Sequence, residues 1–152
     1  METLRIKRDD IYTIEVNDKG ETIQFAMGDI ELPFKCERAF GEVRRIEKDL
    51  QAQIVIISKK QDHPQEGKVM TANEEAIITA YNKAYKEMRN AMDVFLGEGA
   101  CQKIFGNDNY HHMFHDLFEA LEPHLDKMAL TAQGVMDRIK AKYGKKDDGV
   151  LR

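Results

Sequence analysis

The chain has 152 residues, 42% apolar and 33% charged, room for one domain and a squeeze for two. Its 23 basic and 27 acidic side chains leave a net charge of −4, which excludes a general phosphate-backbone binder; no nucleic-acid partner is expected. No apolar run exceeds the four residues Ile54 to Ile57, against roughly 20 for a membrane span, and residues 1–6 hold no signal-peptide core. The expectation is a cytosolic protein with no membrane partner.

Cys36 and Cys101 stand 65 residues apart with no Cys-x-x-Cys pair, so both read as small core residues rather than zinc ligands or a disulfide. Most of the eight methionines fall at helical spacing and read as interior.

Residues 1–30 read as β structure. The β-branched and aromatic run 11–16, a turn at Asn17-Asp-Lys-Gly20, and the alternating Ile23, Phe25 and Met27 predict a hairpin. A short strand at residues 4–7 is expected to precede it. A lone hairpin is marginal in water, so it has to pack on something or pair with another chain.

From Pro33 the period lengthens. Phe40, Val43, Ile46, Leu50, Ile54 and Ile57 recur every three or four residues, the stripe of an amphipathic helix over residues 34–60. Arg38–Glu42 and Arg45–Asp49 stand at i,i+4 on its other face. Gly41 inside it suggests close packing or a bend. A polar loop with Pro64 and Gly67 ends the helix.

Thr71 with Glu74 forms a capping box for a second helix, residues 72–96, with Ile77, Ile78, Tyr81, Tyr85, Met88, Met92 and Phe95 on one stripe and Gly97 as its stop. The two helices predict an antiparallel hairpin, with Phe40, Val43, Ile46 and Leu50 facing Tyr81, Tyr85, Met88 and Met92. A short turn from Ala100 to Phe105 follows, closed by Gly106, with Ile104 and Phe105 expected to plug the end of the helical hairpin. Asn107-Asp-Asn109 offers an N-cap for a helix over 110–121, and Pro123 suits the first turn of a last helix reaching about Tyr143. That last helix would carry Leu125, Met128, Ala129, Ala132, Val135, Met136 and Ile139 on its stripe. The fold class is therefore α+β and mostly helical. One domain spans 1–143, with the hairpin in 1–30 and helices in 33–143, and a disordered tail covers 144–152.

The one cluster that suggests chemistry is Tyr110-His-His-Met-Phe-His-Asp116. On a helix His111, His115 and Glu119 fall at i, i+4 and i+8, and such a histidine pair can chelate a divalent ion. The glutamate of a His-Glu-x-x-His motif and any cysteine at ligand spacing are missing. The histidines therefore read as exposed or partner-facing, and no metal and no cofactor are expected. There is no Gly-x-Ser-x-Gly, the only serine is Ser58, and Gly97-Glu-Gly99 lacks the lysine of a phosphate loop. Nothing in the residues supports catalysis. Residues 137–152 carry six basic and three acidic side chains, a local +3 that suits a solvated helix end and tail.

The segment Phe95-Leu-Gly-Glu-Gly-Ala-Cys-Gln-Lys-Ile-Phe-Gly-Asn107 resembles the "GEGA…KIFG" knuckle of the small tail assembly chaperones of long-tailed bacteriophages and Gram-positive prophages. The element order around it is similar too: short N-terminal strands, Glu- and Lys-rich helices, and an aromatic-rich helix after the knuckle. The resemblance covers most of the chain in architecture and is motif-specific over these 13 residues. It implies a non-enzymatic assembly factor in the host cytoplasm, absent from the mature virion. Such a factor binds and solubilises the tape-measure protein, and a frameshifted longer form recruits tail-tube protein.

The resemblance names no contact positions. From the residues alone, Met88, Met92, Phe95, Phe105, Phe114 and Phe118 are the candidates for an adaptable apolar groove that takes a partner helix. The β-hairpin also offers a route to a homo-oligomer. The competing readings are another phage structural part such as a head–tail connector or completion protein, a metal-dependent enzyme using His111, His115 and Glu119, and an unrelated helical adaptor.

Overall fold

A computed structural model describes residues 1–130. Its elements in chain order are strands β1 (Ile11–Glu15) and β2 (Thr22–Ala26) and helices α1 (Leu32–Ser58), α2 (Ala72–Leu96), α3 (Ala100–Phe105) and α4 (Met113–Lys127). The α+β, mostly helical class is as expected. No helix among the described residues is long and apolar enough to cross a membrane.

The strands form an antiparallel pair with Tyr12 opposite Phe25 and Ile14 opposite Ile23. Opposed residues share a face, so these four side chains make the inner side. Asn17 organises the turn: its Oδ1 accepts from the amides of Lys19 at 3.0 Å and Glu21 at 3.2 Å. The strand expected over residues 4–7 is not formed. Leu4 and Ile6 are 91% and 84% exposed, with no neighbouring strand to pair with.

α1 and α2 pack antiparallel, as three points along them establish. The rings of Phe40 and Phe95 meet edge to face at 6.2 Å, Glu47 lies beside Tyr85, and Asn73 Nδ2 donates to the Lys60 carbonyl at 2.9 Å. Val43, Ile46 and Leu50 are buried against Met88 and Met92, while Phe40, Tyr81 and Tyr85 are half-buried at the edges. Burial of this kind contributes about 1.5–3 kcal/mol per large side chain. Gly41 departs from expectation, because a Cβ there would meet nothing within 4 Å, so close packing does not explain it. Arg45 pairs with Asp49 at 2.8 Å as its spacing predicts, whereas Arg38 lies over the Phe34 ring.

The start of α2 leaves no backbone donor unanswered. Thr71 and Glu74 exchange the two bonds of the capping box, the Ala72 amide donates to the His63 carbonyl, and the Asn73 amide donates to Asp62 Oδ1 at 3.0 Å. The loop between the helices is thereby tied to the helix it introduces.

After α2 the chain turns through Gly97, Gly99 and Gly106, all at positive φ. The buried residues of α3 are Ala100 and Cys101; Ile104 and Phe105 are only partly covered, so the expected plug is a smaller one. Cross-ties hold it. Asp93 Oδ1 accepts from the Cys101 amide at 2.9 Å, Asn17 Nδ2 donates to the Lys103 carbonyl at 3.0 Å, and Lys103 Nζ donates to the Thr22 carbonyl at 3.1 Å.

The second half differs most from the sequence-based expectation. α4 begins at Met113 because His112 takes a left-handed backbone, φ +66°, and Asn107–Asn109 cap nothing. Pro123 does not open a new helix; it sits inside α4, which runs on to Lys127. Its missing amide releases the carbonyl of Glu119, a residue on the exposed side of the helix. Met128 is fully buried just past the helix. The expected helix beyond Leu130 and the tail 144–152 lie outside the described residues.

Candidate functional site

Two features stand apart from the plain core: the clasped knuckle and an open groove of about 530 Å³ beside it.

Arg89 makes the clasp. From the middle of α2 its guanidinium donates to the carbonyls of Gly106 at 2.9 Å and Asp108 at 2.8 Å and to Asn109 Oδ1 at 2.8 Å, while lying 5.6 Å from the Phe105 ring centre. Five fixed N–H groups let one arginine close a loop that otherwise has few backbone partners. Nothing in the sequence marked Arg89, since a basic residue in a helix is ordinarily a solvated one.

The groove is lined by Glu47, Leu50 and Gln51 of α1, Tyr81 and Tyr85 of α2, and residues 111–115. The rings of Tyr81 and Tyr85 stand nearly perpendicular with centres 5.8 Å apart, and His111 meets Tyr81 edge-on at 5.3 Å. Burial pushes the Tyr85 phenol above its ordinary value, and Tyr81 and Glu47 add to the effect. Neither phenol hydroxyl nor the Glu47 carboxylate has a hydrogen-bond or ion-pair partner among the described residues.

The expected histidine alignment is not formed. Because α4 starts at Met113, His111 lies outside the helix and cannot stand one turn above His115. His115 approaches Glu119 at 3.5 Å, with the two side chains 68% and 70% exposed. Among the described residues no group of three or more His, Cys, Asp or Glu side chains is arranged to hold a metal ion.

The six apolar candidates divide. Met88 and Met92 are 0% exposed, and Phe95 and Phe114 are also in the core. Phe105 and Phe118 reach the surface in part: Phe105 packs on Phe114 at 5.6 Å, and Phe118 on Phe40 at 4.5 Å. As folded, Met88, Met92 and Phe95 are covered by the core, whereas Phe114, though buried, lines the groove. A stripe at helical spacing identifies the covered face without saying what covers it, and here α1, β2 and α4 do so.

Further along the helical hairpin the cover is thinner: Ile54, Ile57 and Ile77 are half-buried and Ile78 is exposed. α1 buries nothing beyond Leu50 and α2 nothing before Ala84, yet Ile54, Ile57, Ile77 and Ile78 continue both stripes. Leu50 and Tyr81 of the groove lie about one turn from Ile54 and Ile78 along their helices. No protein-family model, no curated protein and no solved structure matches the chain.

Proposed function

We propose that the chain is a small tail assembly chaperone, which binds the tape-measure protein, keeps its apolar helices soluble and helps recruit tail-tube subunits. It acts in the host cytoplasm and is left out of the finished virion. The knuckle, residues 95–107, suggests the family. The observation that carries a binding role is the half-covered apolar stripe of the helical hairpin, with Ile78 exposed, beside an open groove. Incompletely covered apolar surface at the end of a packed core is what a protein that shelters another's helix has to offer.

The test is co-expression with the tape-measure protein encoded in the same gene cluster. The chaperone reading expects that protein's soluble fraction to rise and the two to co-purify. Raising salt from about 0.1 to about 0.5 M shortens the Debye length from roughly 10 Å to about 4 Å, and a mainly apolar contact survives it. Insoluble tape-measure protein with no co-purification at any salt would sink the reading.

A connector or completion protein is the second reading, favoured by the two-stranded sheet, whose outer edges pair with nothing among the described residues. In that case the chain joins the assembled particle, and mass spectrometry of purified virions would find it.

A further inference from the structure

The groove and the adjoining stretch of the helical hairpin share three properties that together specify an occupant. The first is an apolar floor of defined length. Ile54 lies one turn beyond Leu50, and Ile78 almost one turn beyond Tyr81 with 47% of its surface exposed. From Glu47 to Ile57 the floor runs about 15 Å, close to three turns of a helix laid along it.

The second is a set of polar groups with nothing to bind. Glu47 and the hydroxyls of Tyr81 and Tyr85 gather at one end of the floor with no partner among the described residues. Two perpendicular aromatic rings beside a carboxylate suit a cationic side chain, because the ring faces attract it and the carboxylate neutralises it.

The third is the charge balance. Among the described residues no lysine or arginine lines the groove. Residues 1–130 carry a net −7, the −4 of the whole chain less the +3 of residues 137–152, since 131–136 are uncharged. A second copy would present the same groove lining, which among the described residues holds no cation to answer Glu47.

We propose that this groove docks an amphipathic helix of a partner protein, with a lysine or arginine of that helix seated between Tyr81 and Tyr85 against Glu47. The proposal rests on the chaperone reading and adds what the tape-measure helix must carry: a basic residue flanking its apolar stripe. The buried methionines and Phe95 then hold the floor in place and touch no partner.

Two probes test it on the full chain. One is the co-expressed tape-measure protein; the other is a synthetic helical peptide of leucine and lysine, about 18 residues long, with a leucine–glutamate counterpart. Glu47→Lys and Ile78→Asp are expected to weaken both interactions at least about tenfold. Glu122→Lys, the same charge change on the exposed side of α4, should alter them less than about twofold. All three positions are partly or fully exposed, and unchanged circular dichroism and melting temperature would show that each variant folds. The leucine–glutamate peptide should not bind.

Peptide binding as strong in Glu47→Lys as in Glu122→Lys, or equal binding of the leucine–glutamate peptide, overturns the proposal. A change of oligomeric state in the groove variants with peptide binding intact assigns the face to a second copy and also overturns it. Tighter peptide binding in a Lys140→Glu, Lys142→Glu double variant hands the groove to residues 137–152 and overturns it as well. Tape-measure binding that persists in both groove variants removes the groove and leaves the chaperone reading standing. Glu47-dependent peptide binding without any tape-measure binding does the reverse.

Discussion

The Tyr12 hydroxyl and His124 Nδ1 lie 2.9 Å apart, joining the first strand to the last described helix across 112 residues of sequence. The rings also meet edge to face at 5.8 Å, so the pair combines a polar bond with an aromatic contact. Tyr12→Phe keeps the ring and removes the bond. Urea unfolding should show a loss of about 0.5–1.5 kcal/mol, and no change would mean that water serves His124 equally well.

Two glycines should respond in opposite directions. Gly97 closes α2 at φ +112°, where L-residues are strained although a Cβ would meet nothing within 4 Å. Gly97→Ala should lower stability by about 1–3 kcal/mol through backbone strain alone. Gly41 is helical and open, so Gly41→Ala should raise stability by about 0.5–1 kcal/mol. Calorimetric melting of both variants checks the pair, and a stabilised Gly97→Ala would refute the strain argument.

Phe95 and Phe105 separate core from knuckle. Phe95 is buried against Phe25 and Phe40, and its replacement by alanine should cost about 3–5 kcal/mol. Phe105 is half-covered, so Phe105→Ala should cost clearly less and loosen the Arg89 clasp locally. Equal losses in chemical denaturation would mean that the knuckle is as integral as the core.

Asp62 sets an acid limit on the link between α1 and α2. The Asn73 amide, then the Thr71 hydroxyl, hold its carboxyl below the usual range. A depressed folded value means stability that is present above the unfolded value, about 3.9, and is lost as pH falls through the folded one. Wild type should therefore melt higher than Asp62→Asn near neutrality, with the gap closing below about pH 4. A gap that stays constant with pH would show that the charge plays no part.

Both thiols should be silent until the protein opens. Burial, then Glu37, pushes Cys36 up to about 11; burial, then Asp93, raises Cys101 as well. A thiol reagent at about pH 8 should modify neither in the native state and both in denaturant. Rapid native labelling of Cys101 would mean that the knuckle opens readily.

The sequence disclosed those features whose causes are local. The capping box of Thr71 and Glu74, the turn at Asn17 and the stripe of α1 each depend on residues within a turn or two. It misplaced α4 because His112 adopts a left-handed backbone that asparagine or glycine would ordinarily signal, and because Pro123 is tolerated inside the helix, four residues after the exposed Glu119. It left the groove unmarked for a related reason. Spacing showed that Met88, Met92 and Phe114 share faces with the core, but only packing shows which part of a stripe goes uncovered. Glu47 looked like any helix-surface carboxylate until Tyr85 was beside it.

The halt of burial at Leu50 and Ala84 also divides the helical hairpin by local stability. Amides within residues 84–96 sit over the shared core and should exchange with deuterium only on global unfolding. Those within residues 51–58 and 72–80 rest on a two-helix contact, and should exchange by opening of the tip while the base stays folded. That opening is an energetic reserve: an occupant that zips the tip closed would slow exchange there by the same factor by which it favours the closed form.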